Sequence, residues 1–170
     1  MYRNQDEPPF LSHPGSDAEA RAAALGALLD GLCGSRVAEI DFADGALSLT
    51  GRDAELAPAW RIVVRGSARF TFSHRSGDRR WLVEANFDAG GKLRNSDRAM
   101  ILATTGAVIE SFHIDGEGLF LRSDDGRAIE IVHAVSGGAE VVLEIGAGAD
   151  ATRIVLPDEM ERWGIDPEAY

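Results

Sequence analysis

The chain has 170 residues, of which 45% are hydrophobic and 26% charged, a composition that argues against intrinsic disorder and fits one globular domain, residues 1–170. The formal net charge of −11 disfavours general binding to nucleic acid or to an anionic membrane. A single cysteine, Cys33, excludes an internal disulfide and a cysteine-based zinc site. No run approaches the roughly 20 apolar residues that span a bilayer, and no secretion signal is evident. We therefore expect a cytoplasmic protein without a membrane partner.

The charge is unevenly distributed along the chain. Residues 61–98 contain nine Lys and Arg against four Asp and Glu, a local net of +5, so the remainder carries −16. Such an imbalance suits a protein that presents an acidic face to a basic partner. Acidity that only aids solubility accounts for it equally well.

The N-terminal part of the chain is predicted to be an irregular arm followed by one helix. Residues 1–15 contain three prolines and no periodicity, which is typical of an arm. Ser16 and Glu19 form a capping box that opens a helix over residues 16–33. Leucines at helical spacing give this helix one apolar face: Leu25, Leu28, Leu29 and Leu32. Cys33, at the end of this face, is expected to be a buried and unreactive thiol.

A repeat at a constant offset of 72 residues dominates the rest of the sequence. Gly34 aligns with Gly106, and five apolar positions align with no gap: Val37, Ile40, Phe42, Leu47 and Leu49 with Ile109, Phe112, Ile114, Leu119 and Leu121. A shift by one residue would turn either set of strand side chains outward, so the shared spacing predicts a duplicated β unit.

The first β unit and a long hairpin are predicted over residues 34–87. Asp44-Gly45 favours a type I′ turn that pairs Phe42 with Leu47 and Ile40 with Leu49. A strand follows at residues 60–64. Residues 68–74 and 79–87 alternate like a hairpin whose tip contains Ser76-Gly77.

The second unit is predicted over residues 104–156. Residues 98–103 fit either a short strand or a helical turn. Gly116-Glu117 suits a type II′ turn, and residues 140–145 and 152–156 suit two further strands. Pro157 can open a short C-terminal helix within residues 157–170. The expected fold is mainly β, with two related β-meander units forming a curved sheet or barrel-like sandwich, an N-terminal helix and a short C-terminal helix.

The titratable residues give no catalytic, cofactor-binding or metal-binding set. His74, His113 and His133 lie in predicted strands, but none has the spacing of a metal motif, and ordinary surface or hydrogen-bonded histidines are the favoured interpretation. The acidic pairs around Gly116 and Gly126 are explained as turn residues. We therefore expect no cofactor and favour a non-enzymatic role.

The hairpin tip combines positive charge with aromatic residues. Arg75, Arg79 and Arg80 cluster about it, close in sequence to Trp81. Arginine and exposed rings can stack on single-stranded bases, but these aromatic residues alternate with polar ones as core residues do. Nucleic acid is therefore disfavoured as a partner.

The repeated pattern, G-x-x-V/I-x-x-I/F-x-I/F followed by a turn and L-x-L, lies in residues 34–49 and 106–131. It resembles small bacterial β-rich proteins, some of which are similar to immunity proteins that neutralise polymorphic toxins. The resemblance covers about half of the chain and implies a binding protein, with no catalytic residues to transfer.

These observations predict a non-enzymatic module that binds another protein, in the manner of an immunity or inhibitor protein with an acidic surface for a basic partner. The alternative is a β-barrel that binds a small molecule, or a minor enzyme, with its site in the sheet mouth. A third possibility is association through the N-terminal leucine face, and the oligomeric state stays open. The candidate ligand or partner contacts are Trp60, Trp81, His133, Arg75, Arg79 and Arg80.

Overall fold

The computed structural model describes residues 14–43, 46–66, 68–76, 79–86, 101–133 and 139–166. The first half contains one helix and five strands: α1 (Pro14–Asp30), β1 (Arg36–Ala43), β2 (Ala46–Arg52), β3 (Pro58–Arg65), β4 (Arg69–Ser76) and β5 (Arg79–Asn86). The second half contains five strands and two 3₁₀ turns: β6 (Ile109–Ile114), β7 (Gly118–Ser123), β8 (Arg127–Val132), β9 (Glu140–Ile145), a turn at Gly148–Asp150, β10 (Thr152–Leu156) and a turn at Glu161–Trp163.

The strands form two five-stranded antiparallel sheets, and each half of the chain contributes to both. The strand orders are β1-β2-β3-β9-β10 and β5-β4-β8-β7-β6. Each half thus places its three-stranded meander in one sheet and its last hairpin in the other. Strand pairing joins the two halves within each sheet. Ile62 of β3 pairs with Leu143 of β9, and Phe72 of β4 pairs with Ile129 of β8. The predicted mainly β fold is confirmed, but as two sheets and not one closed barrel.

The two halves cross through a pair of equivalent backbone hydrogen bonds. Gly34 and Gly106 both adopt left-handed backbone, with φ values of 90° and 91°, a conformation that favours glycine. The Gly34 N–H donates to the Ile109 carbonyl at 2.8 Å, and the Gly106 N–H donates to the Val37 carbonyl at 2.7 Å. Because each atom has its counterpart 72 residues away, the halves are related by a pseudo-two-fold axis.

The backbone pairing at the centre of this crossing agrees with a pseudo-two-fold axis. A single antiparallel bridge joins Arg36 to Val108, two residues that are themselves 72 apart. The register also shifts at matching places, at Ala38 between β1 and β2 and at Glu110 between β6 and β7. This irregularity of the first strand of each unit is therefore duplicated.

One apolar core lies between the sheets. It contains the inward side chains of both meanders together with Leu25 and Leu29 of α1 and Leu32 of the turn that follows the helix. The rings of Trp60 and Phe112, from opposite sheets, meet edge to face with centroids 5.7 Å apart. Burial of side chains of this size stabilises the fold by roughly 1.5–3 kcal/mol each, so these contacts fix how the sheets stack.

The hairpin registers predicted from the repeat are confirmed. Phe42 pairs with Leu47 and Ile40 with Leu49, and the second unit shows the same spacing in Ile114 with Leu119 and Phe112 with Leu121. The Asp44-Gly45 turn, the arm before residue 14 and the tip at residues 77–78 lie outside the described residues.

Three local predictions differ from the structure. The helix α1 begins at Pro14, so Ser16 lies inside it and not at its N-terminal cap position; the helix ends at Asp30, and residues 31–34 form a turn before β1. Gly116 does not adopt the positive φ of a type II′ turn, because the Asp115 carboxylate holds that loop by accepting backbone hydrogen bonds. The segment after Pro157 forms turns instead of a regular helix. It ends where Gly164 turns left-handed, with a φ of 68°, and the Ile165 N–H donates to the Met160 carbonyl at 2.9 Å.

The remaining observations on the fold concern its helical segments. Residues 101–102 are helical, which settles the open choice for the segment 98–103 at that point. The leucine face of α1 packs against β6 and against the turn at Glu161–Trp163. Within the described ranges, none of the helices has the length and apolarity that crossing a bilayer requires.

Candidate functional site

Trp60 and His133, the predicted contact residues whose side chains the structure describes, are both buried. Trp60 is 1% exposed and lies in the core, where its Nε1–H donates to the Ser35 hydroxyl at 2.9 Å. His133 is 3% exposed and follows β8 in the other sheet. Neither residue lines either of the two surface depressions described below. The backbone pairs Arg75 with Arg80 and places Trp81 opposite His74, while the side chains of the hairpin tip lie outside the described residues.

Two depressions on the described surface adjoin each other at the end of β6. The first, the β6 groove, has a volume of about 450 Å³ and is bounded by α1, by residues 112–116 and by residues 164–166. The second, the outer depression, has a volume of about 430 Å³ and lies on the solvent face of β6, β7 and β8. His113 and Asp115 line both, so the two form one continuous surface.

The β6 groove has an apolar floor. The floor consists of side chains that are 4–8% exposed and belong to three separate segments: Leu25, Leu29, Phe112, Ile114 and Ile165. Gly26 lies on the helix wall, and a Cβ atom added there would meet nothing within 4 Å. The missing side chain at Gly26 is thus one reason why the groove is open.

The C-terminal segment forms the other wall because it packs closely on the helix. A Cβ at Gly164 would lie 2.2 Å from the Ala18 carbonyl oxygen, so only glycine permits this approach. The Arg21 guanidinium donates to the Glu161 carbonyl at 2.8 Å, which fastens the same turn to α1.

The rim of both depressions is acidic. Three aspartates, Asp30, Asp115 and Asp166, line the β6 groove, and Glu117 and Glu130 join Asp115 in the outer depression. Arg122 is the only arginine or lysine among the described residues that line them. The segment 101–166, which supplies most of this surface, has thirteen Asp and Glu against four Arg, a net of −9. This surface therefore attracts cations.

His113 stands at the boundary between the two depressions. Its side chain is 65% exposed, and its Nε2 lies 3.3 Å from an Asp115 carboxylate oxygen. Its ring centroid is 6.1 Å from that of Phe120. An exposed imidazole beside a half-buried phenyl ring and carboxylates can contact both the apolar and the charged parts of a ligand.

The Asp115 carboxylate also shapes the hairpin that ends the groove. One of its oxygens accepts the backbone N–H of Glu117 at 2.8 Å and that of Gly118 at 3.3 Å. Behind this turn, the His133 N–H donates to the Glu117 carbonyl at 3.0 Å. The interpretation of Asp115 and Glu117 as turn residues is confirmed for Asp115, but the same aspartate also lines the groove.

Burial determines the charge state of His133. Desolvation lowers the pKa of its imidazole below the ordinary value of 6.5, and the negative charge of Asp115 opposes this only partly. The Nε2 atom has no hydrogen-bond partner among the described residues. His133 is therefore a buried structural residue at the base of the hairpin, not an exposed ligand.

The second turn of the meander is held by an ion pair. The Arg127 guanidinium donates to the carboxylate of Asp125 at 2.8 Å and to the Ala103 carbonyl at 2.7 Å. The hydroxyl of Ser123 donates to the same carboxylate. These hydrogen bonds, those of Arg127 first, hold the pKa of Asp125 well below its usual range. The acidic pair at Gly126 is thus a turn element, as predicted.

No protein-family model matches the sequence. Comparisons with curated proteins and with solved structures also give no match. The geometry of the chain itself is therefore the basis for any functional conclusion.

No three His, Cys, Asp or Glu side chains in the described part of the chain are placed to hold a metal ion. Cys33 is exposed, which corrects the expectation of a buried thiol, because it falls in the turn after α1 while Leu32 points into the core. One void between the sheets, beside Arg127, measures about 10 Å³, room for one water at most.

The residues that matter for the groove were not singled out from the sequence. Phe112 and Ile114 were predicted as core residues of a strand, and they are, but their strand is also the edge of its sheet. For Asp30, one feature of the sequence could have indicated a role in the groove. It is the last residue of a helix with no basic residue in its last turn, a place where a carboxylate is unfavourable.

Proposed function

We propose that this protein is a non-enzymatic module that binds a basic partner protein through the β6 groove. The observation that supports this most is the pairing of an apolar floor with a rim of three aspartates in one groove. An apolar floor can bury the side chains that provide affinity, and an acidic rim accelerates encounter with a positively charged partner and selects it.

The position of Asp30 supports the same conclusion. A carboxylate at a helix C-terminus opposes the helix dipole and costs about 0.3–1 kcal/mol of stability. Asp30 nevertheless ends α1 and lines the groove. A residue that weakens its own helix is explained if it contributes to binding instead.

The proposal is tested with variants that alter the groove and leave the fold intact. Gly26→Trp fills the groove from the helix wall, where a side chain meets open space. Asp30→Lys reverses one charge of the rim and favours the helix dipole. Asp150→Lys is the matched control, since Asp150 is exposed, lies in the turn before β10 and does not line the groove.

The wild-type protein and the three variants are immobilised, and a lysate is passed over each at low and at moderate salt. We expect a basic protein to be retained by the wild type and by Asp150→Lys, and released as salt screens the contact. Its affinity, measured by calorimetry, should fall at least about tenfold in Asp30→Lys and Gly26→Trp, that is by about 1.4 kcal/mol. Equal retention by all four proteins would refute the groove as the binding site. A wild-type column that retains no protein in stoichiometric amount would refute protein binding itself.

A further inference from the structure

β6 is an edge strand, and half of its free edge is already used by the chain itself. At its N-terminal end the Ile109 N–H donates to the Ser35 carbonyl at 2.8 Å, and the Ile109 carbonyl accepts from Gly34 at 2.8 Å. The adjacent bridge joins Arg36 to Val108. The segment 34–36 thus pairs with the start of the edge in the manner of a short additional strand.

No described residue pairs with the C-terminal half of the same edge. The Asp115 N–H donates to the Gly118 carbonyl at 3.0 Å, so these two residues form a hydrogen-bonded pair. Antiparallel pairs alternate, which makes His113 with Phe120 the next hydrogen-bonded pair. The N–H and C=O groups of Phe112 and Ile114 therefore point away from β7, toward the groove. In the described part of the chain, no backbone hydrogen bond outside the helices and strands reaches either residue.

We infer that the segment bound in the β6 groove is an extended strand that pairs with the backbone of Phe112 and Ile114. This inference rests on the proposed function and specifies how the partner binds. Unpaired donors and acceptors on an edge strand are a template for strand addition, and here they lie in a groove and not on an open surface. A strand placed there would continue the pairing that residues 34–36 begin.

The surroundings of the edge specify the partner's sequence pattern. Side chains of an added strand alternate between the two faces of the sheet. Those on the inner face would meet Leu25, Leu29 and Ile165, which favours apolar residues. Those on the outer face would lie beside His113 and the carboxylates of the outer depression, which favours lysine or arginine. The occupant is therefore an extended segment of a basic protein in which apolar and basic residues alternate.

The test uses a seven-residue peptide that alternates lysine and valine, with blocked termini, and the full-length protein labelled with ¹⁵N. A second peptide of the same sequence carries N-methyl groups on the alternate residues whose N–H would face β6. Because N-methylation removes a backbone donor and keeps the charges and side chains, the pair isolates the backbone contribution. Amide hydrogen exchange at Phe112 and Ile114 is measured with each peptide, and Gly26→Trp serves as the blocked protein.

We expect the first peptide to bind with a dissociation constant below about 1 mM, to slow exchange at Phe112 and Ile114 at least about tenfold, and to lose this effect in Gly26→Trp. The N-methylated peptide should bind at least about tenfold more weakly. If both peptides bind equally well to the wild type and not to Gly26→Trp, with unchanged exchange at these amides, strand addition is wrong and the groove still binds basic segments. If neither peptide binds, both strand addition and binding of basic segments by this groove are overturned.

Discussion

Replacing Gly51 with alanine should strongly destabilise the fold, although the same change usually stabilises a strand. A Cβ at Gly51 would lie 2.0 Å from the nearest ring atom of Trp60, so the buried indole would have to move. Overpacking of this kind costs about 1–3 kcal/mol. Displacement of the indole also breaks its hydrogen bond to Ser35, which is worth about 1 kcal/mol. Against this, alanine gains roughly 0.5–1 kcal/mol over glycine in backbone entropy. We expect a net loss of about 1–3.5 kcal/mol, a large part of the 5–15 kcal/mol that a folded domain has.

A double-mutant cycle isolates this contact. Trp60→Leu alone should cost several kcal/mol, since a buried tryptophan truncated to alanine loses about 3–5. Once the ring is gone, Gly51→Ala should be neutral or slightly stabilising, so the coupling energy should be about 2–4 kcal/mol. Urea unfolding followed by far-UV circular dichroism gives each free energy. Additive single-mutant effects, within about 0.5 kcal/mol, would refute the packing of Trp60 on Gly51.

The remaining predictions concern other parts of the fold. Gly26→Ala, where the new Cβ meets open space, should stabilise α1 by about 0.5–1 kcal/mol in thermal unfolding, and a loss would contradict the open helix wall. Because burial lowers the pKa of His133, unfolding takes up a proton, so stability should fall as pH drops below about 6.5 and recover above it. His133→Gln should remove that dependence and the exposed His113→Gln should not; persistence in His133→Gln would refute the assignment. The pKa of Asp125 is lowered, so its contribution is present above about pH 4 and is lost at lower pH. Asp125→Asn should therefore cost about 1 kcal/mol at pH 7, reduced by its partial exposure, and the difference from wild type should vanish in acid.

The register of both hairpins was predictable because strand side chains alternate and only one register buries every apolar residue. The offset of 72 residues that aligns Gly34 with Gly106 fixes which residues of the two units are equivalent. Alternation tells which face of a strand is buried, however, and not which strand lies beside it. The exchange of hairpins, with β9 next to β3 and β4 next to β8, therefore left no local signal.

The same limit explains why the groove was not predicted. The apolar face of α1 was evident, but its neighbours, β6 and the turn at Glu161–Trp163, are set by tertiary packing. The predicted contacts are large aromatic residues, a histidine and arginines, types of side chain that often bind ligands. Trp60 and His133 are instead buried, because a large ring or an imidazole with apolar neighbours stabilises a core as readily as it binds a ligand.

The duplication lets each unit serve as the control for the other. Because the two halves exchange hairpins, both units need the turn that begins the crossing. Both have a glycine there, Gly34 and Gly106, with the same left-handed backbone conformation. A binding groove is needed in one copy only, so residues that serve binding are free to differ. At the groove they do differ: His113 corresponds to Asp41, and Asp115, which both forms the turn and lines the groove, corresponds to Ala43. The strand pairing is the same in both units. It therefore does not require an aspartate at position 115, because the first unit has alanine at the equivalent position 43. Asp115 and its hydrogen bonds to the backbone of the turn are therefore a feature of the second unit, and on the proposed function its carboxylate serves the rim of the β6 groove.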